Sequence, residues 1–206
     1  MKNALFYIFY KIRLLKLIDI LWRKTSAFLS ESHIYLQKKD LEKRGSTIGL
    51  NVFIDPSVRV RIGKDSYVKI GDNVKILNDS WLITEKGDNL IIGDNTFISQ
   101  NVVISGNVSI GSDVLIAGYV SIIDANHNYS DISKNITEQG GNKKSIKIGN
   151  DVWIGTHSVI LQGVTIGSHS VIGANSTVTR NIDEYSVVAG SPAKVIKERI
   201  TSGTKV

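Results

Sequence analysis

The sequence predicts an all-β main domain, a coil of short parallel strands, preceded by a short helical segment and interrupted by one extruded loop. Three observations carry this reading. An aliphatic residue recurs at six-residue spacing from Ile48 onward with a shift among the first hexads, the position after it is mostly small, and the beat breaks off over residues 124–145 before it resumes. A period of six fits neither the helical 3.6 nor the alternation of a strand. It fits a short strand plus a corner, with β-branched residues in the pleated stretch and Gly, Asn and Asp at the sharp bend. Three such sides close a triangular coil of about eighteen residues, and a coil buries its faces only by stacking on its neighbours. Each fully buried aliphatic side chain in the stack contributes roughly 1.5–3 kcal/mol.

Residues 1–44 come first and differ in character. Leu5, Ile8, Phe9, Ile12 and Leu15 fall at helical spacing, and Leu14, Leu17, Ile18 and Leu21 widen the stripe. The longest uncharged run, Asn3 to Tyr10, is far short of the roughly 20 apolar residues that span a bilayer, and no small-residue cleavage site follows a long apolar core. Two readings stay open. The segment packs on the body, or residues 1–24 lie on an anionic membrane surface, with Lys11, Arg13, Lys16, Arg23 and Lys24 meeting lipid headgroups.

The net charge of +6 sits in this segment. Residues 1–44 hold ten Lys and Arg against four Asp and Glu, whereas residues 45–206 hold fifteen of each. A neutral body without a basic stripe or aromatic platform argues against nucleic acid as a partner. Cysteine is absent, which removes disulfides, thiolate metal sites and cysteine nucleophiles and makes the cytoplasm the expected compartment.

From Ile48 the hexads read "IGLNVF", "IDPSVR", then after a shift "IGKDSY", "IGDNVK", "IGDNTF", "ISQNVV", "ISGNVS", "IGSDVL" and "IAGYVS". After the break come "IGNDVW", "IGTHSV", "ILQGVT", "IGSHSV", "IGANST" and "VTRNID". The break itself opens with "DANHNYSD", which places His127 in its first residues. A departure of this length from a compact coil is usually functional or disordered.

The pattern over about Ile48 to Arg199 resembles the left-handed parallel β-helix of the hexapeptide-repeat acyltransferases. "IGNDVWIGTHSVILQGVTIGSHSVIGANSTVTRNI" and "VVAGSPAKVI" are closer still to the sugar O-acetyltransferase branch, which includes enzymes that acetylate galactosides, maltose and bacterial surface polysaccharides. The resemblance divides the chain into an N-terminal segment (1–44), a β-helix domain (45–199) with its loop at 124–145, and a tail (200–206). It implies acetyl-CoA as acyl donor, a glycan or sugar acceptor, a homotrimer with sites shared between adjacent chains, and no metal.

The resemblance also assigns residues. His127 corresponds to a general base that deprotonates the acceptor hydroxyl, a task suited to neutral imidazole. The backbone N–H of Thr156 corresponds to the donor that receives the thioester oxygen as charge develops on it. Asn101 corresponds to an acceptor-binding asparagine, with a plain corner residue as the other reading. Asp124 and Asn126 either contact the acceptor and orient the imidazole or simply cap the loop. Trp153, Ala174, Thr179, Arg180 and Lys194 correspond to the lining of the acetyl-CoA groove, with Arg180 placed to pair with a phosphate and Trp153 open to plain subunit packing.

Other functions stay in view. An amino-sugar N-acetyltransferase or a serine acetyltransferase shares the fold, although the latter usually carries a larger helical N-terminal domain. A γ-type carbonic anhydrase needs three histidines converging on zinc, and His33, His157 and His169 lack the spacing. A prism serving only as a scaffold has no use for His127, Trp153, Thr156 and Arg180 together.

Overall fold

The structure, a computed structural model, describes residues 38–199. The amphipathic stretch at residues 1–24 and the tail at 200–206 therefore lie outside the described residues. Residues 38–43 are helical, and Leu41, 2 % exposed, joins the core at the first coil. The Leu41 carbonyl accepts the Ser46 N–H (3.1 Å) as the chain enters the first strand.

Three parallel sheets form the faces of a prism. The first face stacks Thr47–Ile48, Tyr67–Ile70, Asn89–Ile92, Val108–Ile110, Ile146–Ile148 and Thr165–Ile166. The second stacks Phe53–Ile54, Lys75–Ile76, Phe97–Ile98, Leu115–Ile116, Trp153–Ile154, Val171–Ile172 and Ser186–Ala189. The third stacks Arg59–Arg61, Trp81–Ile83, Val103–Ser105, Ser121–Ile123, Val159–Ile160 and Thr177–Val178. One strand of each face in turn makes a coil, and there are about six coils.

The aliphatic beat is the core. Ile54, Ile76, Ile98, Ile116, Ile154 and Ile172 are all fully buried along the second face, and Ile104, Ile122 and Ile160 along the third. The small position after each aliphatic residue has a steric cause. A Cβ built on Gly93 would lie 2.5 Å from the carbonyl carbon of Gly111 on the next coil. Corners carry the bend in left-handed backbone, as at Asn73 (φ 56°) and Asn95 (φ 57°), and their amides form a ladder. Asn73 Nδ2 donates to Asn95 Oδ1 (3.0 Å), and Asn95 Nδ2 to Asp113 Oδ1 (3.1 Å).

Two expectations need correction. The repeat is not eighteen residues throughout, since equivalent corner residues are 22 apart between the first coils and 18 apart further on. The extra residues lie at the edge between the third and first faces, at 62–66 and 84–88, where the hexad rhythm shifts in the sequence. The break at 124–145 is not structureless either. It is a hairpin in which Ala125–His127 pairs antiparallel with Gly141–Lys143, closed by a short 3-10 turn at Ile136–Glu138. The prism resumes at Ile146, which pairs in register with Val108 of the preceding coil.

After Ser186–Ala189 the chain turns at Gly190 (φ 101°) and returns as Lys194–Glu198, antiparallel to it.

Candidate active site

The hairpin leaves the edge between the third and first faces, and Asp124 fixes its base. Asp124 is 1 % exposed; its Oδ2 accepts the Asn107 N–H (2.7 Å), and its carbonyl accepts the Lys144 N–H (2.9 Å). Burial pushes this carboxyl up from its ordinary value, against the opposing pull of the Asn107 hydrogen bond and ahead of the charge of Asp88. These bonds tie the Asp124 carboxylate to Asn107 and its carbonyl to the returning strand of the hairpin.

His127 ends the first hairpin strand and is exposed, paired across the ladder with Gly141. Its imidazole makes no hydrogen bond or ion pair among the described residues. The neighbouring Asn126 Oδ1 accepts the His127 N–H (2.9 Å), which fixes the backbone from which the ring projects. Both residues line an open cleft of about 840 Å³, together with Glu85, Ile136 and Lys143. Beyond them the hairpin tip folds around Gln139, whose amide donates to the carbonyls of Asp131 (2.9 Å) and Lys134 (3.1 Å).

Lys143 was not singled out in the sequence. Its ammonium contacts Glu85 Oε2 and Asp88 Oδ2, both at 2.8 Å. Partial burial works against its charge, but the hydrogen bonds it donates to Asp88 and Glu85 prevail and hold it above the usual lysine range. Nothing local in the sequence marks this ion triad, because Lys143 comes from the hairpin and Glu85 and Asp88 from a corner of an earlier coil.

Three of the other candidates, Thr156, Ala174 and Asn101, occupy a different edge, between the second and third faces. Thr156 lies there, with Oγ1 donating to the Gly118 carbonyl (2.7 Å); its N–H has no partner among the described residues. Ala174 occupies the next coil at the same edge, against Gly155. Asn101 takes a left-handed corner (φ 56°) two coils earlier, its N–H donating to Asn78 O (3.0 Å). Trp153, 53 % exposed, stands on the second face between Leu115 and Val171. Thr179 and Arg180 return to the hairpin's edge, both exposed, and Lys194 stands on the fold-back strand. A single chain therefore does not bring His127 and Thr156 together.

His157 and His169 are corner residues on separate edges, and His33 lies outside the described residues. His157 stacks on Tyr119, with ring centroids 4.8 Å apart, between the second and third faces. His169 lies between the first and second, its Nδ1 2.9 Å from Asp151 Oδ2 and its ring stacked on Tyr185. Among the described residues no group of three His, Asp or Glu side chains could hold a metal ion.

A prism of six-residue repeats, with one edge interrupted by a histidine-bearing hairpin, defines a hexapeptide-repeat β-helix protein. The profile described as bacterial transferase hexapeptide (six repeats) matches residues 89–124 and 145–180, the two stretches that flank the hairpin. The chain is 39 % identical over 175 residues to galactoside O-acetyltransferase of Escherichia coli, an alignment spanning 77 % of this chain and 70 % of that protein. It belongs to the hexapeptide-repeat acyltransferase family, and its solenoid matches the family's left-handed β-helix.

Two solved structures extend the comparison. A galactoside acetyltransferase in complex with coenzyme A superposes with a TM-score of 0.51 at 33 % identity, covering 69 % of this chain and 66 % of that one. An N-acyltransferase from Bacillus cereus gives a TM-score of 0.66 over 79 % of this chain and 89 % of that one, and at 20 % identity it shows the fold alone. The first curated acetyltransferases matched are covered over only 28 %, 26 % and 25 % of their own length.

Proposed function

We propose that this protein is an acetyl-CoA-dependent O-acetyltransferase acting on a sugar hydroxyl, with His127 as general base. The observation that carries the reading is the exposed imidazole of His127, without a partner among the described residues and presented at a cleft by an ordered hairpin, in a chain similar over most of its length to a galactoside O-acetyltransferase. The coenzyme A complex of a structural relative supports acetyl-CoA as donor.

The chemistry follows from these positions. The imidazole removes the proton of the acceptor hydroxyl as its oxygen attacks the thioester carbonyl. The carbonyl oxygen gains negative charge, and a backbone N–H such as that of Thr156, open among the described residues, can donate a hydrogen bond to it. Collapse of the tetrahedral species breaks the carbon–sulfur bond, and the imidazolium returns its proton to the coenzyme A thiolate. Since His127 and Thr156 lie on different edges of one prism, the reading requires the site to form between chains, which a homotrimer provides. Trp153, Ala174 and Thr179 then line the pantetheine path, Arg180 and Lys194 meet the nucleotide phosphates, and Asn101 and Asn126 hold the acceptor.

The preferred acceptor is a surface polysaccharide or its lipid-linked precursor, reached at the inner face of the membrane through the basic apolar residues 1–24. Among the described residues no helix is long and apolar enough to cross a membrane. Transfer of radiolabelled acetyl groups to a panel of glycans and amino sugars tests the function. The proposal expects ester products, and amide products alone would overturn it. Sedimentation with anionic vesicles, with and without residues 1–24, tests the membrane contact; an intact protein that stays in the supernatant would refute it.

A further inference from the structure

We infer that Lys143 is a positioning residue for His127, acting by bracing the hairpin on which the imidazole stands. The inference rests on the reading of His127 as the base. The two residues belong to the paired hairpin strands, in which Ala125 faces Lys143 and His127 faces Gly141. A shift of the Lys143 strand therefore carries His127 with it.

The brace spans several coils. The hairpin springs from the fourth coil, whereas Glu85 and Asp88 occupy the extended corner of the second, and the third lies between. At the third coil this corner is short and turns through Gly106, which has no side chain to stand between them. The extended corner is built to receive the lysine. Asp88 is only 6 % exposed, its N–H donates to the Glu85 carbonyl (3.0 Å), and its Oδ2 accepts the Glu85 N–H (2.9 Å) as well as Lys143. Two ionised acceptors make these bonds stronger and shorter than neutral ones. Asp124 holds the hairpin at its base, and Lys143 ties it along the same edge of the prism to residues 84–88. Reaction rates fall steeply when a catalytic group moves by an ångström, so such a tie bears on turnover more than on binding.

The test is a mutant cycle on the full-length protein, with kcat and the KM for acetyl-CoA measured for Lys143→Met, Lys143→Arg, His127→Ala and the double variant His127→Ala/Lys143→Met. Lys143→Met is expected to lower kcat about 10- to 100-fold with KM for acetyl-CoA unchanged. Lys143→Arg should recover most of the rate. Because Lys143 acts through His127, adding Lys143→Met to His127→Ala should cost nothing more. An unchanged kcat for Lys143→Met, or a full additional loss in the double variant, would overturn the inference. If Lys143→Met fails to fold, Glu85→Gln removes one partner at a half-exposed position and should lower kcat without changing KM; an unaltered rate there counts against the brace. Near-normal turnover in His127→Ala would instead remove the base itself, and the inference with it.

Discussion

The carboxylate of Asp124 occupies the space that a side chain on Gly106 would need. An ideal Cβ at position 106 would lie 1.8 Å from Asp124 Oδ1, and the backbone there has φ 102°. The hairpin bearing His127 is thus seated on a residue defined by having no side chain.

Gly106→Ala should accordingly unseat the hairpin while leaving the coils stacked. Forcing alanine into this backbone conformation costs about 1–3 kcal/mol, and displacing the carboxylate adds to it. Urea denaturation should show the lowered stability, and turnover should fall further than the affinity for acetyl-CoA. Wild-type turnover and stability together would contradict the arrangement.

His127→Ala should lose transfer but keep the prism and its acetyl-CoA affinity. Removing a general base costs roughly 10²- to 10⁴-fold in rate. Steady-state kinetics on a variant with a normal circular dichroism spectrum gives the answer, and a loss below tenfold would dismiss His127 as the base.

For Arg180 the distinction is between the two ends of the donor. Arg180→Glu should raise the KM for acetyl-CoA yet scarcely change that for a short acetyl-pantetheine thioester, which lacks the nucleotide phosphates. Equal changes with both donors would place Arg180 elsewhere than at a phosphate.

Much of this was legible because a six-residue repeat couples sequence to position so tightly. Ile98 and Ile116, 18 residues apart, could be placed on one buried column from their spacing alone, and His127 stood out as the histidine at the point where the rhythm stopped. The shifted hexads around Ile62 were harder to interpret, because four extra residues at a corner leave the strands on either side unchanged. The hairpin register of His127 with Gly141 was hidden, since its short polar strands lack alternation and β-branched residues. Lys143 could not be found at all: its partners Glu85 and Asp88 become neighbours only after two further coils have been wound.

A pH-dependent prediction attaches to the corner at Asp151. Hydrogen bonding to His169, followed by the charge of Arg199, holds the Asp151 carboxyl below its ordinary value of 3.8. A carboxyl with a lowered folded-state pKa stabilises the fold above its unfolded value, and that stability is lost as pH falls through the folded one. Asp151→Asn should therefore lower Tm at pH 7, with the gap to wild type closing below about pH 3.8. The pairs are half exposed, so the effect should be of the order of the 0.2–1 kcal/mol found for surface ion pairs. A gap that stays constant down to strongly acidic pH would show that the charge of Asp151 is not responsible.

The fold-back strand Lys194–Glu198 bears on how such a molecule stays finite. A stack of parallel coils can in principle be lengthened without limit, because each finished turn presents the unpaired edge that the next one needs. Here the edge of Ser186–Ala189 is taken by a strand running the opposite way, with all five of its residues exposed and Lys194, Lys197 and Glu198 among them. A further parallel strand therefore cannot add to Ser186–Ala189, and the second face of the prism ends there against head-to-tail extension.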